Sequence, residues 1–321
     1  MRTLDPVVLF FLLGLTAGSA RTELRLPPAI YDFLTILLLL AIGLKGGVEL
    51  ANQSPLGILP QVGAVLLIGL LLPLLAYPVL RYVGRLKRPD AASIAAHYGS
   101  VSVGTYAVAV AYLAFREVTF EQYMPVLLVL LEMPAIVVGI LLARGVGGGT
   151  KWGELAREVI LGKSVVLLLG GLAIGWIAGP VGVQPIEPLF MGLFKGVLAL
   201  FLLEMGLLAA GQVGSLRKHG VFLVAFGIGM PLVGAVIGGT VGLLLGLSLG
   251  GTAMLATLIA SASYIAVPAA MRMSVPEANP TLSLAASLGV TFPFNILVGI
   301  PLYLRLAEYL HTLGEIGRAH V

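Results

Sequence analysis

Long apolar runs, separated by short polar breaks, follow one another along almost the whole chain. They cover residues 5–20, 29–51, 56–80, 91–114, 122–143, 159–178, 187–210, 219–246, 251–271 and 280–308. A helix needs about 20 mostly apolar residues to cross roughly 30 Å of hydrocarbon, and most of these runs have that length. The short alternating segments of a membrane β-barrel do not occur. The pattern therefore predicts an all-α membrane protein with ten transmembrane helices. In the first, shorter run, Gly14 and Gly18 and the following Leu26-Pro27-Pro28 predict a break before the second helix. Its start, Met1-Arg2-Thr3-Leu4-Asp5, lacks a strong basic region and a clear small-residue cleavage site, so it is read as a span and not as a signal peptide.

Composition removes the other classes. Hydrophobic residues make up 59% of the chain and charged ones 11%, with no cysteine; soluble domains carry about 25% charge and about 45–50% apolar residues. A soluble enzyme, a disordered chain and a disulfide-stapled domain are excluded, as are thiolate metal sites and iron–sulfur clusters. The net charge of +4 is a topology signal and not a nucleic-acid-binding face. Of the 19 Lys and Arg, thirteen fall in odd-numbered loops between Arg21 and Arg272, and four (Arg2, Arg116, Arg305, Arg318) fall on the other side. Lys45 and Lys195 fall inside predicted spans. By the positive-inside rule the odd loops are cytoplasmic and both termini are outside, as expected of a multi-pass protein of a bacterial inner membrane.

The two halves of the chain resemble each other at offsets of 157–161 residues. Phe11 to Gly18 aligns with Leu168 to Gly175, Ala41 to Gly47 with Leu200 to Gly206, Ser100-Val101-Ser102 with Ser261-Ala262-Ser263, and Pro134 with Pro293. This divides the chain into a first five-helix repeat (1–144), a cytoplasmic linker (145–158), a second repeat (159–310) and a short polar tail (311–321), to which no role is assigned. An odd number of spans inserts the second copy upside down. Inverted repeats of this kind recur in secondary transporters, with the solute bound near the midplane at interrupted helices. No Walker A motif is present, so ATP-driven pumping is disfavoured.

The polar residues cluster where such interruptions would lie. Span four reads His97-Tyr98-Gly99-Ser100-Val101-Ser102-Val103-Gly104-Thr105, and span nine reads Ser261-Ala262-Ser263-Tyr264-Ile265-Ala266-Val267-Pro268. Freed backbone groups are costly in hydrocarbon unless they line a polar cavity. There, the N-termini of half-helices attract an anion, while hydroxyls can donate to an anion or coordinate Na⁺. The same small residues also serve close helix packing. Ionisable residues inside spans default to functional roles; here they are Lys45, Glu132 and Glu204, the last aligned with Lys45 in the repeat. No His-Glu-x-x-His or Gly-x-Ser-x-Gly motif supports an enzyme, and no catalytic residue, resident metal or cofactor is assigned.

At Ala41–Val48, Tyr98–Thr105, Leu131–Ala135, Ser261–Pro268, Ile186–Leu193 and Val275–Pro280 the chain resembles the sodium-dependent bicarbonate transporters of cyanobacteria and other bacteria (the SbtA family). The resemblance implies two inverted five-helix repeats forming core (transport) and gate (scaffold) parts, a homotrimer, and Na⁺-coupled bicarbonate uptake by an elevator-like movement. It implies an anion held by Gly99, Ser102, Gly104 and Thr105 from the first repeat and by Ser261 and Ser263 from the second. The expected ion-coupling residues are Ser100, Glu132, Ser261, Tyr264, Lys45 and Glu204. A PII-like regulatory protein on the cytoplasmic face is a further implied partner. The chain departs from cyanobacterial members in two places: Tyr264 stands where they tend to have Asp, and Glu132-Met133-Pro134 stands where they have Asp-Ile-Pro. The alternative expectation is Na⁺- or H⁺-coupled transport of another small anion, carboxylate or inorganic.

Overall fold

In the computed structural model, which describes residues 5–51, 55–145 and 152–319, the chain is helical throughout with no strand among the described residues. Eight helical segments are long and apolar enough to cross a membrane. The other two runs become shorter apolar helices, so the expectation of ten membrane-length helices is met at eight. α1 (Pro6–Ser19) has 14 residues because Asp5 caps its start, its carboxylate accepting from the Val7 amide at 3.1 Å, and because Pro27 and Pro28 open the next helix. The run 251–271 splits into α10 (Leu249–Ile259) and α11 (Ala266–Ser274) around an unwound stretch.

The other elements follow in order. α2 spans Pro28–Leu50, and α3 spans Leu59–Pro78 and runs on through a wider turn to Val83. α4 (Arg88–Gly99) and α5 (Val103–Phe115) are the halves of one broken span, followed by α6 (Met124–Arg144). The expected linker holds a short helix, α7 (Trp152–Ile160), while the glycine-rich part of that linker, residues 146–151, lies outside the described residues. α8 spans Lys163–Val183 with a bend at Gly179-Pro180. α9 (Phe194–Leu244) joins two spans at Gly220, whose φ of 82° a residue with a side chain rarely adopts. α12 (Pro280–Ala286), α13 (Phe292–Phe294) and α14 (Ile300–Ala319) form one rod loosened by π turns. The rod runs on to Ala319, within the residues expected as a polar tail, and His311 Nε2 lies 3.0 Å from Thr252 Oγ1 of α10.

Two helix crossings organise one side of the bundle. α1 packs on the first half of α9, and α2 packs on α8. Between helices in lipid there is little hydrophobic drive, so close backbone approach and van der Waals contact must do the work. A Cβ on Gly14 would strike the Leu203 carbonyl, one on Gly206 the Phe11 carbonyl, one on Gly47 the Leu172 carbonyl and one on Gly175 the Leu44 carbonyl. Leucine in place of Gly47 is therefore expected to destabilise the protein by about 3 kcal/mol, because it meets backbone that cannot yield. A lowered unfolding temperature in detergent would register this, and an unchanged one would show that the crossing is not tight.

The broken span 88–115 is the most enclosed of the eight, with 78% of its most apolar window buried against 22% for α8. The interruption thus lies at the centre of the bundle. α8, with Trp176, Ile177 and Val181 exposed, lies at the edge.

Candidate functional site

α4 stops at Gly99 because the backbone turns extended: Ser100 has φ −100° and ψ −176°, and Ser102 has φ −109° and ψ 111°. The helix restarts as α5, with Ser102 as its N-cap. The Ser102 Oγ accepts from the Thr105 amide at 3.0 Å and from the Thr105 hydroxyl at 2.9 Å. In the second half of the chain α10 stops at Ile259, and α11 resumes at Ala266 with the Val267 amide donating to Ser263 Oγ at 3.4 Å. The first amides of any helix have no partner within it. Both restarts therefore leave N-terminal N–H groups with partial positive charge inside the protein.

These two interruptions touch. The Ser102 amide donates to Ser261 Oγ at 2.9 Å, and the Ser263 amide donates to the His97 carbonyl at 2.8 Å. The second unwound stretch thereby satisfies an amide of the first, and the last turn of α4 satisfies an amide of the second, which is what a break in a dry interior requires. Ser261 in turn donates to the Leu258 carbonyl at 2.8 Å. The Tyr264 hydroxyl is pressed against Gly104 and lies near Ser102, with no hydrogen bond of good geometry. Its ring packs edge-on against Phe292, 5.3 Å between centroids.

The expected residues are not all at this crossing. Ser102, Gly104, Thr105, Ser261, Ser263 and Tyr264 are brought together there, and Ser100 is buried beside them with its hydroxyl unpartnered. Gly99 lies where a Cβ would meet Pro73 and Ala135, so it serves the packing of α4 on α3 and α6. Glu132 is 1% exposed, and one of its carboxylate oxygens has no partner. It lines a cavity of about 500 Å³, together with Ile265 and Ala266 at the start of α11 and with Arg157 and Ser164. Lys45 instead lines a cavity of about 390 Å³ at the opposite end of α2 from Pro28, with Glu49, Tyr106, Gln122 and Glu187. Glu204 faces neither cavity; its carboxylate lies beside the Leu26 backbone.

Three anchors were not foreseen. Asn295 donates to the Ala260 carbonyl at 2.9 Å and accepts from the Tyr303 hydroxyl at 2.7 Å, which fixes the end of α10 to the last rod. An asparagine in a wholly apolar stretch was the available signal. The Glu121 carboxylate accepts from the Ser248 amide at 2.6 Å and the Ser248 hydroxyl at 3.0 Å, at the start of α10. Asp90, at the start of α4, accepts from the Asn279 amide at 2.7 Å. Among the described residues no three His, Cys, Asp or Glu side chains converge as a metal cluster. The crossing presents hydroxyls and carbonyls, hard oxygen donors of the kind that suit a hard cation, while the carboxylate of Glu132 lines the cavity at the start of α11.

Residues 6–308 match the sequence model of the Na⁺-dependent bicarbonate transporter superfamily. No curated protein matches the chain.

Proposed function

Because the chain belongs to the Na⁺-dependent bicarbonate transporter superfamily, we propose that it is a secondary transporter that takes up bicarbonate with Na⁺, the anion binding where the two interrupted helices meet. The observation that carries this is the pair of mutual hydrogen bonds, Ser102 to Ser261 and Ser263 to His97, between stretches about half the chain apart. Around them lie two helix N-termini and the hydroxyls of Ser102, Thr105, Ser261 and Ser263. Charge-assisted hydrogen bonds from such groups suit a small planar anion. Glu132, with Ser100 and Tyr264 nearby in the fold, is the proposed side of the site for the coupling cation.

Ten helices in two inverted repeats are part of the proposal, and three equivalences support it. The breaks at Ser100-Val101-Ser102 and Ser261-Ala262-Ser263 correspond. The crossing of Gly14 with Gly206 has its counterpart in that of Gly171 with Gly43. The pin of Glu121 on Ser248 has its counterpart in that of Asn279 on Asp90, each joining the segment before one helix to the start of a broken span in the other half. Within this proposal the glycine crossings make Gly43 and Gly206 repeat counterparts, which gives Lys45 the counterpart Leu208 in place of Glu204.

The elevator-like movement is likewise proposed. α1, α2, α8 and the first half of α9 would be the scaffold, and the broken helices with α3 and α6 the moving part. The cavities containing Lys45 and Glu132 both lie where these groups meet, on opposite sides of the crossing, which is the arrangement alternating access needs. The basic loops put the Glu132 cavity on the cytoplasmic side and both termini outside. The family likeness brings a homotrimer and a cytoplasmic PII-like regulator into the same proposal.

Purified protein in liposomes is expected to accumulate radiolabelled bicarbonate when an inward Na⁺ gradient is applied, and far less without one. Folded protein that takes up none in either condition rejects the proposal. Accumulation driven by a proton gradient alone, or of formate or acetate in preference, replaces the ion or the solute and leaves the fold argument standing.

A further inference from the structure

The cavity on the side away from the basic linker contains a cation that the crossing does not use. Gly43 and Gly47 turn one face of α2 onto α8, and Gly46 meets Pro125 of α6. Lys45, between them, is left facing the cavity of about 390 Å³. Among the described residues its ammonium makes no hydrogen bond and no ion pair. Lys45 is exposed to this recess, so its ammonium is held by water and is free to pair with an anion that enters. Among the described residues, the other charged groups lining the recess are Glu49 and Glu187. Glu49 is one helical turn nearer the end of α2, and Glu187 is in the connection between α8 and α9, so both sit towards the mouth.

With two carboxylates and one ammonium, the recess exerts no long-range pull on anions. Lys45 acts at contact range instead, beyond the carboxylates. One wall of the recess is Tyr106, which directly follows Thr105 and whose amide bonds to the Ser102 carbonyl at 3.0 Å. The recess therefore reaches the first turn of α5, the helix whose start forms half of the crossing.

We propose that Lys45 is a loading residue: its ammonium pairs with the small anion in this vestibule before the anion passes Tyr106 to the broken helices. The inference rests on the anion-transport function proposed above. Lys45→Met is expected to raise the bicarbonate concentration for half-maximal uptake about threefold, the size of one solvent-screened ion pair. The maximal rate should stay within about twofold, because the contact is not made at the crossing. Lys45→Arg should behave as the parent.

The chain has no cysteine, so Lys45→Cys provides a single thiol that can be modified after reconstitution. The 2-aminoethyl methanethiosulfonate reagent converts it to a mixed disulfide bearing an ammonium and releases methanesulfinate. This should restore half-saturation, whereas the uncharged methyl reagent should not. Half-saturation unchanged in Lys45→Met, or an equal response of Lys45→Cys to the two reagents, overturns the inference while uptake by the parent protein stands. Absence of uptake by the parent protein overturns the transport proposal itself, and the loading role with it.

Discussion

Glutamine in place of Glu132 is expected to abolish the Na⁺-driven part of bicarbonate accumulation and to leave the fold intact or more stable. Glu132 is 1% exposed, with a carboxylate oxygen that has no partner, and it faces the start of α11 across a cavity. Burying a carboxylate without a countercharge is expensive, whereas a neutral amide of the same shape costs far less. The unfolding temperature in detergent should therefore hold or rise. If this carboxylate supplies the negative charge that holds the coupling cation, its loss removes a charged contact worth about 1.5–3 kcal/mol, and accumulation under a Na⁺ gradient should fall at least tenfold, towards the level seen without one. Glu132→Asp retains the charge on a shorter stem and should keep Na⁺ dependence at a higher Na⁺ requirement. A Glu132→Gln protein that still responds fully to the Na⁺ gradient would place the cation elsewhere.

The apolar runs were legible because lipid imposes a simple rule: every buried backbone group must be paired, and long helices do this locally. The interruptions were legible for the converse reason. Ser100 and Ser102, and Ser261 and Ser263 with Pro268 beyond them, break the apolar pattern in the middle of spans, and helices α4 and α10 do end beside them. Span length was less legible, since the 251–271 run is long enough overall to be read as one span yet is divided by its own unwound stretch. The grouping of side chains across the bundle was legible only in part. Gly99 shares a motif with Ser102 but turns to Pro73, because Gly99 is the last residue of α4 while Ser102 lies beyond the extended Ser100, which redirects the chain. Lys45 and Glu204 are both ionisable residues inside apolar runs, and a linear alignment makes them partners. Their helices, however, pack through Gly43 on α8 and through Gly206 on α1, and under the proposed repeat those contacts set a register four residues away from that alignment.

The anchors at Asn295, Glu121 and Asp90 explain why the breaks stay open. An unwound turn could regain local hydrogen bonds by rewinding, and in hydrocarbon that would be strongly favoured. Rewinding is opposed here because the freed groups already have partners from distant segments: the Ala260 carbonyl with Asn295, the Ser102 amide with Ser261, and the Ser263 amide with His97. A site built this way is preorganised, and the solute need not provide the energy to open it.

Alanine in place of Gly104 is expected to cut uptake about a hundredfold, the loss that follows when reacting or binding groups are displaced by about 1 Å. Gly104 lies in the first turn of α5, and an added Cβ there would strike the Tyr264 hydroxyl and would itself stand 3.0 Å from Phe201 and 3.3 Å from Phe292. The rings of Phe201 and Phe292 are buried and cannot retreat, so the phenol must move, and with it the stretch from Ser261 to Tyr264 that forms half of the crossing. Tyr264→Phe removes the clashing oxygen and nothing else. Combined with Gly104→Ala it should recover much of the lost uptake, giving a coupling between the two positions well above the few tenths of a kcal/mol expected of independent sites. The rescue is partial because the contacts with Phe201 and Phe292 remain. Strict additivity of the two substitutions would mean that Tyr264 is held by its own strand of chain and not by the face of Gly104, and that the two breaks are coupled through the serines alone.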